Sequence, residues 1–269
     1  MSSELLRIKK RKEVKTKLTN LYDNSERVLV IHYSCESFYD IKDGRTPRVT
    51  SIAVRNLESA QTTSFSIHKI AEREGVPISH IPSKYDELEK KMLSDFFEFV
   101  KRKEYFYFIH WNMRDGNYGF SAIEHRFQVL GGKPYEISND KKFDLARALV
   151  SLFGRQYVGH GDGKGRFLML VELNKISSKD ALTGKQEAEA FDSAEYIKLH
   201  QSTLRKVDCM SSIFERTLDG SLKTNATWID TYGMHPKVVV EGIKEHWIWS
   251  AVVMVAVLSG LAGRVVGLL

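Results

Sequence analysis

The stretch "YFYFIHWNMRDGNYGF", Tyr105 to Phe120, shows how this chain is organised. An apolar run ends abruptly at His110, and polar residues and two glycines follow it, including Asp115. A short, continuous apolar run of this kind, bounded by turn residues, is typical of a buried strand. The stretch therefore predicts a central strand whose carboxyl end carries a candidate functional site.

The segments around this strand predict the rest of a sheet. "RVLVIHY", Arg27 to Tyr33, is a second continuous apolar run, as in a strand covered on both faces. Val49 to Leu57 and Thr62 to Ile70 alternate apolar and polar residues and are separated by a short polar loop, which predicts a hairpin. "PYEIS", residues 134–138, predicts a short fifth strand.

Helical patterns separate and follow these strands. An apolar stripe beginning at Tyr85 predicts one helix, and the residues after Phe120 predict a second that ends at Gly131. Phe143 to Phe153 predicts a third, residues 165–176 a fourth, and a long helix begins near Lys185. The order β-β-β-α-β-α-β-α-α-α predicts an α/β fold, a mixed five-stranded sheet flanked by helices.

Composition is that of an ordinary globular protein, with a basic balance. The net charge of +6 is compatible with an acidic partner such as nucleic acid or anionic lipid. The two cysteines, Cys35 and Cys209, lie far apart without the spacing of metal ligands. A disulfide scaffold and a structural zinc site are therefore not expected.

The first 27 residues form a basic segment that precedes the main domain, which we assign to residues 28–222. "RIKKRKEVKTK", Arg7 to Lys17, has seven basic residues and one acid, and apolar residues recur near it at helical spacing. Two interpretations stay open. The segment is a solvated amphipathic helix docked on the domain, or it presents a basic patch to phosphates or lipid.

The C-terminal residues predict a membrane anchor. After a juxtamembrane segment, residues 223–246, the chain from Trp247 to Gly263 carries no charge, and only Arg264 interrupts the apolar residues up to Leu269. As a helix, residues 247–269 would extend about 34 Å, enough to span a bilayer core. Trp247 suits the membrane interface. We expect a single-pass membrane protein whose soluble part faces the cytoplasm, because the basic bulk precedes the anchor.

The predicted anchor also carries a candidate self-association face. Ser259, Gly263 and Gly267 recur at four-residue spacing, so they lie on one face of a helix. Small residues at this spacing allow two membrane helices to approach closely. The pattern predicts a homo-oligomer formed through this face.

Three carboxylates occupy informative places in the predicted fold. Glu36 follows the first strand, Asp115 follows the fourth, and Asp192 lies on the predicted long helix. If the first and fourth strands are adjacent and parallel, their carboxyl ends meet at one edge of the sheet. Converging carboxylates repel one another unless cations hold them, and Mg²⁺ or Mn²⁺ prefers oxygen ligands. These residues therefore predict a divalent-metal site that acts on phosphodiesters.

This layout resembles the DEDD exonuclease group of the ribonuclease H-like superfamily. That group has Asp-x-Glu after the first strand, His-Asn-x-x-Phe-Asp after the fourth, and His-x-Ala-x-x-Asp on a late helix. The resemblance covers roughly Val28 to Leu204, and "FDLARAL", Phe143 to Leu149, also looks like a family helix. It implies a ribonuclease H-like fold and metal-dependent 3'-5' exonuclease chemistry.

The resemblance assigns roles residue by residue. It implies that Glu36, Asp115 and Asp192 are metal ligands, and that His110 begins the second motif. The sequence departs from the family pattern at Ser34, where the first aspartate would stand, and at Glu187, where the general-base histidine would stand. Either His110 or Glu187 would then orient or deprotonate water.

Three functions follow as alternatives. The first is a membrane-anchored, cytoplasm-facing nuclease that cleaves nucleic-acid or nucleotide phosphodiesters with Mg²⁺ or Mn²⁺. The second is a catalytically degenerate nucleotide- or nucleic-acid-binding module coupled to a membrane helix, as would suit a defence effector; Ser34 favours it, whereas Glu36, Asp115 and Asp192 favour the first. The third is a membrane-tethered interaction protein that assembles through the basic N-terminal segment and the glycine-containing anchor.

Overall fold

A computed structural model describes residues 3–37, 46–114, 118–161 and 163–232. Asp115 and residues 233–269 lie outside this range, and with them the predicted anchor, its Ser259, Gly263 and Gly267 face, and most of the juxtamembrane segment. Within the described residues, no helix combines the length and apolar character needed to cross a bilayer.

The elements follow the predicted order closely. The strands are β1 (Val28–Cys35), β2 (Val49–Asn56), β3 (Thr62–Ser66), β4 (Tyr107–His110) and β5 (Lys142–Asp144). The helices are α1 (Ser3–Asp23), α2 (Ile67–Arg73), α3 (Tyr85–Lys101), α4 (Phe120–Val129), α5 (Leu145–Phe153), α6 (Gly165–Leu173), α7 (Gly184–Asp192), α8 (Tyr196–Leu218) and α9 (Trp228–Tyr232).

The five strands form one mixed sheet in the order β3-β2-β1-β4-β5. β2 pairs antiparallel with both β1 and β3, so the predicted hairpin is confirmed. β1 and β4 are adjacent and parallel, as are β4 and β5. The carboxyl ends of the three parallel strands therefore lie at the same edge of the sheet, which is the arrangement that the predicted site requires.

Side chains of the sheet are buried on both faces. Leu29, Ile31 and Tyr33 of β1 pack in a core with α2, α3 and α4. The alternate residues Val28 and Val30 pack on the opposite face against α5 and α8. Because successive residues of a strand point to opposite faces, this explains why β1 reads as a continuous apolar run.

The basic N-terminal segment forms α1, which joins the second of these cores. Leu18 and Leu21 are buried there beside residues of α5 and α8. The structure therefore shows that the C-terminal half of this segment is docked on the domain. Its basic residues lie along the same helix, mostly exposed.

Three predicted elements are wrong in whole or in part. The strand predicted from Thr62 to Ile70 ends at Ser66, and Ile67 begins α2. The fifth strand is not "PYEIS" but residues 142–144, because parallel pairing with β4 defines it and its own sequence carries no alternating pattern. Phe143 and Asp144 consequently belong to a strand, and α5 begins two residues later than predicted. The long helix from Lys185 is also two helices, broken between α7 and α8 where Ala194 has a φ of +54°.

Candidate functional site

A cavity of about 780 Å³ opens at the carboxyl end of β1; we call it the main cavity. Its walls come from the end of β1, the first residues of α6 and α7, the middle of α8, and the residues that follow β4. This is the edge where parallel strands end and where ligands bind in open α/β sheets. The main cavity therefore lies where the sequence predicts a site.

A β-bulge shapes the edge of the cavity. Ser34 pairs with Ser51 but Cys35 pairs with Val49, so Thr50 is the extra residue on β2. The Thr50 hydroxyl donates to the Ser34 carbonyl at 2.9 Å. Bulges increase the local twist of a strand and redirect its side chains, and they recur beside active sites.

Helix α3 holds the bulge from the opposite side. The Val49 N–H donates to Glu89 Oε1 at 2.6 Å, and the Tyr85 hydroxyl donates to the Val49 carbonyl at 3.1 Å. Both backbone polar groups of Val49 are thus satisfied by buried side chains of α3. The last residues of β1 consequently face a rigid partner.

Polar residues at the end of β1 and just after it line the main cavity. His32, Ser34 and Glu36 all line it. The Ser34 side chain is buried, and its Oγ makes no hydrogen bond within the described residues; the same holds for His32 Nε2. Burial, with a smaller effect of Lys206, lowers the pKa of His32 well below its ordinary value, so the ring is neutral at pH 7. Two buried polar atoms at this wall therefore make no hydrogen bond within the described residues.

A buried ion pair faces these groups. Lys206 Nζ on α8 lies 2.7 Å from Glu187 Oε1 on α7, and the Ser202 hydroxyl donates to the same oxygen at 2.9 Å. The Lys206 and Glu187 side chains are only 8% and 14% exposed. The residue in the position of the general base is therefore paired with an ammonium group, which also puts a positive charge in the cavity.

Two helices begin at the cavity. Thr183 caps α7 with a reciprocal capping box involving Gln186, and Gly184 and Lys185 open the helix at the cavity wall. Lys164 and Gly165 do the same for α6. Free backbone N–H groups and the helix dipole make such helix starts attractive to anions.

The lining residues combine charge with aromatic surface. Three lysines, Lys164, Lys185 and Lys206, stand against two glutamates, Glu36 and Glu187. Aromatic side chains form much of the remaining wall; they are Tyr33, Trp111, Tyr118 and Phe167. Trp111 and Phe167 pack edge to face with ring centroids 5.0 Å apart. The cavity can accept a ligand that has both an anionic group and a flat apolar group.

The structure brings together only part of the predicted site. Glu36 and Glu187 line the main cavity, whereas Asp192 is exposed at the end of α7 and does not. Asp115 lies outside the described residues. Among residues 3–37, 46–114, 118–161 and 163–232, no three His, Cys, Asp or Glu side chains are grouped so that they could hold a metal ion.

His110 occupies a different environment from the one its assigned role requires. It is buried at the end of β4 and does not line the main cavity. Its Nδ1 accepts a hydrogen bond from the Met113 N–H at 3.1 Å, and its ring packs against Phe120. Burial lowers its pKa to about 4. In this arrangement His110 holds the turn after β4.

Sequence reasoning missed Lys206, His32 and the helix-start lysines. One signal for Lys206 exists: it falls in line with Leu199, Thr203 and Met210, which are buried residues of α8 at helical spacing. A lysine on the inward face of a helix needs a buried partner. The lysines at the starts of α6 and α7 carry no such signal, because only the tertiary fold turns both helix ends toward β1.

The strand order and the partly assembled carboxylates are the features to compare with known proteins. The resemblance to the DEDD exonuclease group rests on quoted motifs and on element order. No known protein family, curated protein or solved structure matches this chain.

Proposed function

We propose that this chain binds a nucleotide, free or at the end of a nucleic-acid strand, in the main cavity. The observation that carries the proposal is that one cavity is lined by the Lys206–Glu187 pair, by aromatic side chains, and by Ser34 and His32, whose Oγ and Nε2 make no hydrogen bond within the described residues. These groups match the three parts of a nucleotide, which are the phosphate, the base and the sugar.

The phosphate would lie near the lysines. Lys206 is held in place by Glu187, and Lys185 and the first N–H groups of α7 stand beside it. A fixed ammonium and a helix start together attract a phosphate without requiring a metal ion. Only one oxygen of Glu187 is used by Ser202 and Lys206, so the pair can adjust when an anion enters.

The base and sugar would occupy the opposite wall. Trp111 and Phe167 offer aromatic surface on which a base can pack, a contact worth about 1–3 kcal/mol per base in nucleic-acid-binding proteins. Ser34 Oγ and His32 Nε2 would satisfy their missing hydrogen bonds with polar atoms of the ligand. The proposal thus accounts for both buried atoms.

Binding is favoured over cleavage by the state of two residues. Ser34 supplies a hydroxyl where the resemblance calls for a carboxylate, and Glu187 is engaged by an ammonium group. A two-metal mechanism needs several carboxylates to neutralise the cations and a free base to activate water.

A metal-dependent phosphodiesterase remains the second candidate function. The observation that favours it is that Glu36 lines the cavity just after β1, the position that the resemblance implies for a metal ligand. Of the three carboxylates that the resemblance implies as ligands for Mg²⁺ or Mn²⁺, Glu36 lines this cavity and Asp192 does not, so this candidate would need ligands other than Asp192. In either case we propose that residues 247–269 tether the domain to a membrane and that ligand binding is coupled to that helix.

The test is a thermal-unfolding titration of the full-length chain with mononucleotides and short oligonucleotides, with EDTA or with Mn²⁺. We expect a nucleotide to raise Tm in EDTA, and Lys206→Met to weaken its affinity at least about tenfold, since a charged hydrogen bond to phosphate is lost. Lys198→Met is the matched control, because Lys198 is exposed on the same helix and pairs with Glu195.

Two other outcomes decide between the candidates. If no nucleotide raises Tm under either condition, the binding proposal is wrong. If Mn²⁺-dependent hydrolysis appears and Glu36→Gln abolishes it, the phosphodiesterase is the correct function.

A further inference from the structure

A second cavity, of about 300 Å³, adjoins the main one; we call it the arginine cavity. Trp111 and Asn112 line both cavities, so they form the wall between the two. The other lining residues come from the segment after β4, from α5, from the segment after α5 and from the start of α6. Four of them are arginines and none is acidic; the arginines are Arg114, Arg147, Arg155 and Arg166.

Most of this positive charge has no acidic partner in the part of the chain that the structure describes. Arg114 pairs with Asp144, whose carboxylate also caps α5. Arg147, Arg155 and Arg166 form no ion pair with any described residue. Arg166 Nε is buried and makes no hydrogen bond there. A concave group of arginines with this much unused donor capacity is suited to an anion.

Two of these arginines lie in the first turns of helices. Arg147 is the third residue of α5, which has no acid in its first turn, and Arg166 is the second residue of α6. A positive side chain in the first turn opposes the helix dipole, and here two such side chains face one cavity. An anion between them would offset this unfavourable interaction at the start of α6 and would add to the effect of the Asp144 cap at the start of α5.

The cavity also has a neutral hydrogen-bond donor. Tyr157 lines it, and burial raises its pKa to about 12, with the nearby Arg166 acting in the opposite direction. The phenol is therefore protonated at neutral pH and can donate to an oxygen. Arginine forks and a hydroxyl donor match the several acceptor oxygens of a phosphate better than a single carboxylate.

We propose that the arginine cavity is a phosphate-binding site, and that it holds a phosphate of the same nucleotide ligand that occupies the main cavity. The shared wall of Trp111 and Asn112 puts the two cavities within reach of one ligand. This second statement rests on the proposed function, whereas the phosphate site itself rests on the arginines alone. The ligand would therefore carry phosphates on both sides of Trp111, as a dinucleotide or a strand end does.

The first experiment tests the phosphate site by itself. Inorganic pyrophosphate is titrated into the full-length chain in EDTA by calorimetry, for wild type, Arg147→Gln and Arg155→Gln. We expect each substitution to weaken binding at least about tenfold, the effect of removing one charged hydrogen bond. Arg102→Gln is the control, because Arg102 is an exposed arginine just after α3 and lies outside both cavities. Absence of pyrophosphate binding, or equal affinity in all four proteins, would overturn the site.

The second experiment tests whether one ligand spans both cavities. A nucleoside monophosphate, a dinucleotide and a six-residue oligonucleotide are compared in wild type and Arg147→Gln. We expect Arg147→Gln to weaken the dinucleotide or the oligonucleotide more than the mononucleotide. An advantage for the oligonucleotide over the dinucleotide identifies a strand end as the source, and equal affinities identify the free dinucleotide.

The outcomes separate this inference from the proposed function. If nucleotides bind but Arg147→Gln has no effect on any of them, the inference fails and the main cavity stands. If pyrophosphate binds through the arginines but no nucleotide binds, the phosphate site stands and the nucleotide proposal fails.

Discussion

Glu89 and Glu187 each form a buried ion pair, yet the two pairs differ in how completely they are satisfied. Both oxygens of Glu89 are used: Oε1 accepts from the Val49 N–H, and Oε2 accepts from Arg126 Nε and Nη2 at 3.0 and 2.5 Å. Arg126 bonds in addition to Asp86 and Thr46. The Glu89 and Arg126 side chains are 0% and 5% exposed.

The second pair is only half satisfied. Glu187 uses one oxygen, for Ser202 and Lys206, and one contact of the Lys206 ammonium is with that oxygen. The pair lines a cavity, whereas the Glu89 pair fills a space between α3, α4 and β2. A saturated pair fixes the position of structural elements, and an incompletely satisfied pair beside a cavity has capacity left for a ligand. The comparison therefore distinguishes a structural site from a binding site in the same fold.

The largest effect is expected for Glu89→Gln. The glutamine can still accept from the Val49 N–H, but it leaves the buried Arg126 without its main counter-charge, which costs about 3 kcal/mol. Urea unfolding followed by circular dichroism measures the loss. Nucleotide affinity of the folded variant should not change; a reduced affinity with little loss of stability would contradict the structural role of this pair.

A smaller loss of stability is expected for Lys206→Met. Glu187 keeps its hydrogen bond from Ser202 and is reached by cavity water, so the cost should be about 1.5 kcal/mol, near the value of one charged hydrogen bond. The same urea experiment compares it with Glu89→Gln. If both substitutions destabilise the protein equally, the Glu187 pair is as structural as the Glu89 pair, and the contrast between them disappears.

The smallest effect on stability is expected for Ser34→Ala. Because the Ser34 hydroxyl has no partner among the described residues, removing it should change the free energy of unfolding by less than about 0.5 kcal/mol. Nucleotide affinity should fall about threefold to tenfold, as for a lost neutral hydrogen bond. Ser66→Ala is the control, since Ser66 is equally buried and unpartnered but lies outside the main cavity. Equal affinities for both variants would remove Ser34 from the site.

Sequence reasoning predicted the centre of the fold better than its edge. The apolar runs of β1 and β4 and the alternation of β2 and β3 are local signals, and the structure confirms these strands. β5 has only three residues and depends on β4 for its hydrogen bonds, so no local pattern reveals it. The break between α7 and α8 occurs at Ala194, which has a positive φ without being glycine, and residue type gives no warning of it.

Sequence reasoning predicted a residue of the candidate site where its position relative to a strand or within a motif determines its place in the fold. Glu36 follows β1 and lines the main cavity, and Glu187 was found through its place in a motif. The cationic residues were not predictable in the same way. Lys206 and the four arginines come to line the cavities only when α5, α6 and α8 are packed beside the sheet. The residues that surround them there are distant in sequence, so no local pattern predicts these positions.

The bulge at Thr50 lies between the Glu89 pair and the main cavity, and it limits how far the length of β2 can change. Val49, held by Glu89 and Tyr85, lies on one side of the bulge, and Ser34 and Cys35 lie on the other. Deleting Thr50 would leave Val49 opposite Cys35 and Ser51 opposite Ser34, which is regular pairing without the bulge. The strand would lose the added twist of the bulge and the hydroxyl that donates to the Ser34 carbonyl, and the Val49 N–H would be repositioned relative to Glu89. Related chains should therefore tolerate substitutions at this position far more readily than changes in length.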